Sequence, residues 1–307
     1  LDVNRLLPAV LESRGDCLLK GNGRFCLKRT TLLHSLAANL AALQKIREAT
    51  TGITAVVGFV DVDPNGTLPG GRPKIFNSAA ILRDREVLAT KFGSEGKQYD
   101  ASTKGGASRR IIMLAVEASL RRLKTDWIDL YQVHRAQSDI PIDETLRALD
   151  DLVRAGKVRY IGTSMFPAWK TVEALWAAKE FGTNRFVSEQ MAYNLLDRTA
   201  EREVVPMAQT FGIALMPWAP LCGGLLTGKY RRDDQSAAGR WHGGKDNFGR
   251  PVTPAAFDVI EGVVALANEK GCTPSQLALA WNAAQPGVTA PIVGPRTLEQ
   301  IVDNLGA

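Results

Sequence analysis

Apolar and polar residues follow two different periods along most of this chain. From Glu86 onward, short runs rich in β-branched residues alternate with longer stretches in which apolar residues recur at helical spacing. The short runs predict strands near residues 86–91, 127–133, 158–163, 185–190, 212–217 and 289–293. The longer stretches predict helices over residues 108–124, 143–155, 168–181, 198–211 and 254–270.

Two of these helices have especially clear sequence signals. In the stretch 108–124, Ile112, Val116 and Leu120 fall on one stripe while most arginines lie off it, so the stripe is expected to pack on a sheet or barrel. Farther along, Thr273-Pro274-Ser275-Gln276 combines a capping box with a proline at the first helical position. We therefore predict that a further helix begins at that point.

The alternation of strands and helices predicts an α/β protein with a parallel sheet. Six β/α units, with room for two more before Glu86, favour a closed (β/α)8 TIM barrel forming one domain over residues 1–307. An open sheet that binds a dinucleotide would carry GxGxxG after its first strand, and neither Gly21-Asn22-Gly23 nor Gly70-Gly71 completes that pattern.

The first 85 residues are harder to interpret, which leaves the first one or two units of the barrel undefined. A helix over residues 31–49 and a strand over residues 53–60 fit the pattern there. From Asp63-Pro64-Asn65-Gly66 to Pro73 the residue types indicate only a loop.

Composition narrows the class of protein. The 307 residues carry a net charge of +6, with 45% apolar and 23% charged residues, which is typical of a folded globular protein. We find no apolar run of about 18 residues and no signal peptide, and therefore expect a cytoplasmic protein without membrane insertion. Its four cysteines lack metal-ligand spacing, so we expect reduced thiols and no metal site. The basic residues form no aromatic-interleaved cluster, which argues against nucleic-acid binding.

Polar residues close several of the predicted strands. In a barrel the reacting groups sit at the carboxyl ends of strands, so the first candidates are Lys91, His134, Ser164 and Gln190. Each has a simple structural explanation by itself, such as a lysine entering solvent or a histidine bonded within a loop. Their repetition at equivalent positions of successive units favours a shared functional site.

These strand ends lie within longer motifs, which occur in a fixed order over roughly residues 86–307. The motifs are VLATKF (87–92), DLYQVHR (129–135), GKVRYIGTS (156–164), SEQ (188–190), YNLL (193–196), PWAPLCGGLLTGKY (217–230) and PIVGPRTLEQ (291–300). In this order they resemble the aldo-keto reductase family, in the branch that includes bacterial general reductases and potassium-channel β-subunits. Each motif is weak alone, whereas the ordered set is highly specific.

The resemblance implies that NADPH reduces a small-molecule aldehyde or ketone inside a barrel without a bound metal. Hydride arrival leaves an alkoxide, which needs a proton and a positive environment. Lys91 and His134 match the family's catalytic lysine, which lowers the pKa of a tyrosine acid, and the histidine that orients the carbonyl. A fixed ammonium suits that task because it favours the phenolate.

The tyrosine itself is missing from its expected place, an Asp-x-x-x-x-Tyr segment before Lys91. The five tyrosines are Tyr99, Tyr131, Tyr160, Tyr193 and Tyr230, and Asp63 stands where the acid belongs. An ionised aspartate only accepts hydrogen bonds and is a poor substitute. We therefore expect residues 1–85 to be divergent or misread, turnover to be impaired, and His134 or a water to donate the proton poorly. We also expect a C-terminal tail truncated at Ala307.

The cofactor side of the resemblance is better preserved. It implies that Trp218 stacks on the nicotinamide and that Ser164 and Gln190 bind its carboxamide, although Met165 replaces the usual asparagine. The expected loop over the pyrophosphate contains Ala219, Pro220, Leu221 and Lys229. After the last strand the expected cofactor residues are Gly294, Arg296, Gln300, Asp303 and Asn304.

Arg296 matches the residue expected at the 2′-phosphate, which favours NADPH over NADH. Gln300 and Asn304 match adenine contacts, but Thr297 and Gln300 also form a capping box that a helix without a ligand would carry.

Three interpretations remain open on the sequence alone. The first is a reductase, the second a non-catalytic NADP(H)-binding redox sensor comparable to a channel β-subunit, and the third a truncated, poorly folding product. Outside the candidate site, we expect Asp129 and Glu189 to pair with neighbouring arginines.

Overall fold

The computed structural model of the protein describes residues 54–68, 72–83, 86–93, 106–123, 125–233, 241, 252–295 and 297–307. The helix predicted over residues 31–49 lies outside these ranges. The chain divides into two compact units, Leu1–Glu86 and Val87–Ala307. The expectation of one domain over the whole chain stays a prediction.

The described part of the first unit is an antiparallel strand pair. Strand β1, Thr54–Leu68, pairs with β2, Arg72–Arg83, and the register shifts between Asp63 and Thr67. Our expectation of a loop from Asp63 to Pro73 was therefore wrong for much of that segment, because a bulge absorbs the turn-forming residues within a strand. This antiparallel pair takes up part of the segment before Glu86 in which we expected parallel β/α units.

The second unit contains a parallel sheet in chain order. Its strands are β3 (Glu86–Phe92), β4 (Ile128–Val133), β5 (Val158–Ser164), β6 (Phe186–Gln190) and β7 (Ala214–Leu215). Each of these pairs parallel with the next one along the chain. The prediction of an α/β fold with a parallel sheet is confirmed.

Within the described residues after β7, the sheet continues as isolated bridges. Leu215 pairs with Val288 and Trp218 with Ile292, both in parallel orientation. The predicted strands over residues 212–217 and 289–293 are thus shorter than expected. Pro217 and Pro291 explain this, because proline has no backbone N–H to donate to a ladder.

Helices follow the strands along the chain. They are α1 (Arg109–Leu123), α2 (Ile142–Arg154), α3 (Ala168–Phe181), α4 (Val204–Phe211), α5 (Pro254–Lys270), α6 (Pro274–Ala283) and α7 (Leu298–Asn304). Two 3-10 turns span Thr199–Arg202 and Cys222–Thr227. None of the helices in the described ranges is long and apolar enough to cross a bilayer.

The helix predicted over residues 198–211 is split in two. A 3-10 turn ends at Arg202, the backbone leaves helical geometry at Glu203, and α4 then begins. Pro206 accounts for the break, because in one continuous helix its ring would collide with the carbonyl of Arg202.

The core lies between the sheet and the helices that follow its strands. Ile112, Val116 and Leu120 are buried, as the stripe on α1 predicted, and pack with Tyr131 and Ile161 of the sheet. Two smaller apolar clusters lie around α4 and around α5 and α6. Among the described cysteines, Cys222 and Cys272 are free thiols.

The capping box of α6 gives a stability prediction. The Thr273 hydroxyl accepts from the Gln276 amide at 3.2 Å and donates to Asp303 at 3.2 Å, while the Gln276 side chain accepts from the Thr273 amide. Thr273→Ala should lower the free energy of unfolding in urea by about 1–2 kcal/mol. Thr210→Ala, on an exposed face of α4, is the control and should cost less than about 0.5 kcal/mol. Equal losses in the two variants would contradict the role of the cap.

Candidate active site

A hydrogen bond crosses the inside of the curled sheet between two of the predicted site residues. Lys91 Nζ, at the end of β3, donates to Gln190 Oε1, at the end of β6, at 2.6 Å. Two strands lie between β3 and β6, so in a flat sheet their backbones would be about 14 Å apart. The contact therefore requires strong curvature, as closure into a barrel does.

The bond from Lys91 sets the orientation of two amides in series. Gln190 Nε2 donates to Gln132 Oε1 at 3.2 Å, and Gln132 Nε2 donates to the Thr163 carbonyl at 3.3 Å. An ammonium group only donates hydrogen bonds, so the oxygen of Gln190 must face Lys91 and its nitrogen must face Gln132. One positive charge thus orients two amide side chains, one on β6 and one on β4.

Ser164 ends β5 beside Gln190, its partner in the β5–β6 register. The Ser164 hydroxyl donates to the Gln190 carbonyl at 2.9 Å, and the Met165 amide donates to the same oxygen at 3.0 Å. Ser164 and Gln190 are both buried, whereas Met165 is exposed. The predicted carboxamide-binding pair is therefore assembled by the ends of two adjacent strands.

His134 follows β4 directly and is partly exposed. Its amide donates to the Phe92 carbonyl at 2.8 Å, which extends the β3–β4 pairing by one bond. Within that pairing Lys91 lies opposite Gln132. His134 thus lies at the same edge of the sheet as Lys91.

Glu189 is a further polar residue here, and our expectation that it pairs with an arginine was wrong. Its side chain is 0% exposed, is hydrogen-bonded to the Thr163 hydroxyl, and accepts from the Phe166 amide at 3.2 Å. Burial raises the pKa of the Glu189 carboxyl to about 8, although Thr163, the nearby amides and the charge of Lys91 oppose the rise. By contrast, Asp129 forms the expected ion pair with Arg159, at 3.3 Å.

Trp218 is joined to the Ser164 segment through Met165. Its indole Nε1 donates to Met165 Sδ at 3.2 Å, and its backbone amide donates to the Met191 carbonyl at 2.8 Å. Met165, which directly follows Ser164, is therefore in contact with Trp218, the residue predicted to stack on the nicotinamide.

The loop after Trp218 is tightly folded. Ala219 has a φ of 53°, and its carbonyl accepts from Asn194 Nδ2 at 3.0 Å and from the Cys222 amide at 2.9 Å. Pro220 is buried, Leu221 is partly buried and caps the 3-10 turn, and exposed Lys229 lies with its Nζ 4.9 Å from the centroid of the Tyr230 ring.

The remaining predicted cofactor residues follow the bridge between Trp218 and Ile292. Gly294 is exposed, Gln300 and Asn304 lie on α7, and Arg296 falls outside the described residues. The Asp303 carboxylate accepts from Thr273 and its carbonyl accepts from Gln276 at 2.9 Å, which ties α7 to α6. Thr297 caps α7 by accepting from the Gln300 amide at 3.3 Å.

Sequence reasoning missed three residues that organise the site: Gln132, Glu189 and Asn194. Gln132 lies between the apolar residues Tyr131 and Val133, and Glu189 lies between Ser188 and Gln190 at the end of a strand, so the available signal was a polar residue inside a predicted strand. Asn194 closes its own loop by accepting from the amides of Leu196 and Asp197. The described ranges contain no group of three or more His, Cys, Asp or Glu side chains that could hold a metal ion.

The raised pKa of Glu189 gives a prediction about pH. The ordinary value is 4.5, so between about pH 4.5 and 8 the unfolded chain releases this proton while the folded chain keeps it. Folding then takes up a proton, and stability falls as pH rises, by at most about 1.4 kcal/mol per pH unit. Glu189→Gln removes this dependence.

Urea unfolding of the wild type and of Glu189→Gln at pH 5.5, 6.5 and 7.5 measures the effect. The wild type should lose stability relative to the variant with each step. Parallel pH curves for the two proteins would contradict a raised pKa.

Comparisons with known proteins place the site in context. Residues 75–307 match the Aldo/keto reductase family. An uncharacterized oxidoreductase of Bacillus subtilis strain 168 is 38% identical over 242 residues, covering 76% of this chain and 70% of that protein. A putative aryl-alcohol dehydrogenase of Saccharomyces cerevisiae is 35% identical over 234 residues, covering 74% of this chain and 80% of its relative.

A third relative is named as a channel subunit and not as an oxidoreductase. A probable voltage-gated potassium channel subunit beta of Oryza sativa subsp. japonica is 34% identical over 230 residues, covering 73% of this chain and 69% of the relative. The family match spans well over half of the chain and includes every predicted site residue. The resemblance seen in the motifs is confirmed, and the chain belongs to the Aldo/keto reductase family, whose fold is a (β/α)8 barrel.

Proposed function

We propose that this oxidoreductase uses NADPH to reduce a small-molecule aldehyde or ketone to an alcohol. The observation that supports this most directly is the hydrogen bond from Lys91 to Gln190. It joins the residue that matches the family's catalytic lysine to the residue that matches its nicotinamide-binding glutamine.

The chemistry of Ser164 and Gln190 fits the carboxamide of a nicotinamide. The Ser164 hydroxyl donates its single proton to the Gln190 carbonyl. The lone pairs of the hydroxyl oxygen can therefore accept from an amide NH2. Gln190 Nε2 uses one N–H on Gln132 and has a second to offer to a carbonyl oxygen. One acceptor beside one donor is the complement of a primary carboxamide.

In this proposal Lys91 and His134 act on the substrate oxygen. The cofactor, when bound, supplies the hydride. Lys91 places a positive charge where negative charge develops on that oxygen, and this electrostatic term is often the largest in such reactions. His134, at the same edge of the sheet, orients the carbonyl by hydrogen bonding.

The proton donor is the weak point of the proposed reductase. The chain has no tyrosine before Lys91, so the proposal assigns proton donation to His134 or to a water molecule. A general acid contributes typically about 10²–10⁴-fold in rate. Turnover well below that of relatives with the tyrosine is the expected consequence.

The second candidate is an NADP(H)-binding protein that reports redox state without useful catalysis. Two observations favour it: the absence of a tyrosine before Lys91, and the similarity to the rice protein named as a probable potassium channel subunit beta. In both candidates we place the protein in the cytoplasm, and the reductase takes only a small carbonyl compound as its partner.

Binding and chemistry are measured separately to distinguish the candidates. NADPH binding is followed by nucleotide fluorescence, and single-turnover oxidation of bound NADPH by 4-nitrobenzaldehyde is then followed at the same protein concentration. Binding with oxidation supports the reductase, and binding alone supports the sensor. Absence of both would support the third interpretation, a defective product.

If the reductase proposal holds, His134→Ala should lower the single-turnover rate by about 10²-fold or more while the Kd for NADPH changes by less than about threefold. The reason is that His134 acts on the substrate and not on the cofactor. Arg135→Ala, one residue along the same strand end, is the matched control. An unchanged rate in His134→Ala would rule out His134 in proton donation and in carbonyl orientation.

Arg296 carries the proposed preference for NADPH. Arg296→Ala should weaken NADPH binding by about tenfold or more, because a charged hydrogen bond to phosphate is lost, and should leave NADH binding within about twofold. Arg198→Ala, which removes an exposed arginine paired with Glu201, is the control. Equal loss of both nucleotides in Arg296→Ala would place this residue away from the 2′-phosphate.

A further inference from the structure

The turn that follows β5 has a strained backbone. Met165 has a φ of 57°, in the left-handed region that residues other than glycine and asparagine rarely adopt. Such a residue keeps its conformation only when its surroundings hold it there. The contacts around Ser164, Met165 and Phe166 therefore decide where this turn places its side chains.

Two groups from the end of β6 hold the turn. The Gln190 carbonyl accepts from the Ser164 hydroxyl and the Met165 amide, and the Glu189 carboxyl accepts from the Phe166 amide at 3.2 Å. Successive amides around a left-handed residue form a concave site that attracts an acceptor oxygen. Glu189 is the only side chain of the described residues for which a hydrogen bond to the Phe166 amide is recorded.

The turn leads directly to the predicted nicotinamide site. Ser164, at its start, is the proposed acceptor for the carboxamide, and Met165 Sδ accepts from the indole of Trp218 at 3.2 Å. A change in the turn would therefore move the hydroxyl and the stacking ring together.

The hydrogen bonds around Thr163 favour the protonated form of the Glu189 carboxyl over the ionised form. Thr163 Oγ1 has one proton but faces two acceptors, the Ser188 carbonyl at 3.1 Å and the Glu189 carboxyl. One hydroxyl proton makes a strong, linear hydrogen bond to one acceptor at a time. A proton on Glu189 resolves this, because the carboxyl then donates to Thr163 and Thr163 donates to Ser188. A glutamine side chain can make the same set of bonds.

We propose that Glu189 is a positioning residue for the nicotinamide end of the cofactor, acting as a hydrogen-bonding group that holds the Ser164–Phe166 turn and through it Ser164 and Trp218. This inference rests on the proposed function for its cofactor part. Its structural part, the hold on the turn, is measurable without any cofactor.

Three variants test the proposal. Glu189→Ala removes the hold, Glu189→Gln preserves its hydrogen bonds, and Asp150→Ala is the matched control. Asp150 is also a buried carboxyl, and it holds a different loop by accepting from the Asn184 amide at 2.8 Å and from the Asn184 side chain at 2.7 Å. That loop precedes β6, at the opposite end of the strand from Glu189.

The cofactor-free readout is hydrogen exchange of the peptide that contains residues 163–168. Exchange of its amides should be about tenfold or more faster in Glu189→Ala, and within about threefold of the wild type in Glu189→Gln and Asp150→Ala. Unchanged exchange in Glu189→Ala would overturn the proposal. Equally fast exchange in the two Glu189 variants would overturn it as well, since glutamine should keep the bonds.

The cofactor readout is the Kd for NADPH, measured by fluorescence on the same preparations. Glu189→Ala should weaken binding about tenfold or more, with Glu189→Gln and Asp150→Ala within about threefold of the wild type. Equal weakening in Glu189→Ala and Asp150→Ala would show a general loss of stability and overturn the positioning role. A wild type that binds no NADPH would overturn the proposed function and the cofactor part of this inference, whereas the exchange experiment would still decide whether Glu189 holds the turn.

Discussion

The hydrogen bond between Lys91 and Gln190 is the constraint on which the rest of the candidate site depends. It joins β3 to β6 across the interior, and the two strands can meet this way only because the parallel sheet is strongly curled. The donor-only ammonium also orients the amides of Gln190 and Gln132, so the direction of each hydrogen bond in the series follows from one charge. Burial strengthens such a series because water does not compete with its members.

The polar groups at these strand ends fall into two sets, one proposed to act on a substrate and one that is buried and holds the backbone. In the proposed reductase Lys91 and His134 act on the substrate, whereas Glu189 is fully buried and accepts a hydrogen bond from the backbone of the turn after β5. Burial raises the pKa of that carboxyl to about 8, which favours its neutral form, so its burial need not leave an uncompensated charge. In the proposed function, binding and proton donation depend on separate residues, so the predicted nicotinamide-binding residues can keep their arrangement in a chain without a tyrosine before Lys91.

Features that depend on neighbouring residues were predictable. The buried stripe on α1 and the capping box at Thr273 are read within a few positions of the chain, and both are present. The parallel order of the strands followed from their alternation with helices, because a parallel pair needs a crossover between its strands. The antiparallel pair of β1 and β2 was missed, since turn-forming residues from Asp63 onward look alike in a loop and in a bulge. The break before α4 was also missed, although Pro206 was its visible cause.

The sequence by itself determined the family, the alternation of strands and helices, and the candidate residues at the strand ends, because each of these is recorded in the order and spacing of residues along the chain. Tertiary structure alone decided which of those residues touch. Lys91 meets Gln190 and Glu189 meets Phe166 through the curvature of the sheet and the left-handed turn at Met165. Neither contact leaves a periodic signal, since partners 99 and 23 residues apart share no local pattern. The partner of Glu189 therefore could not be inferred before the fold was known.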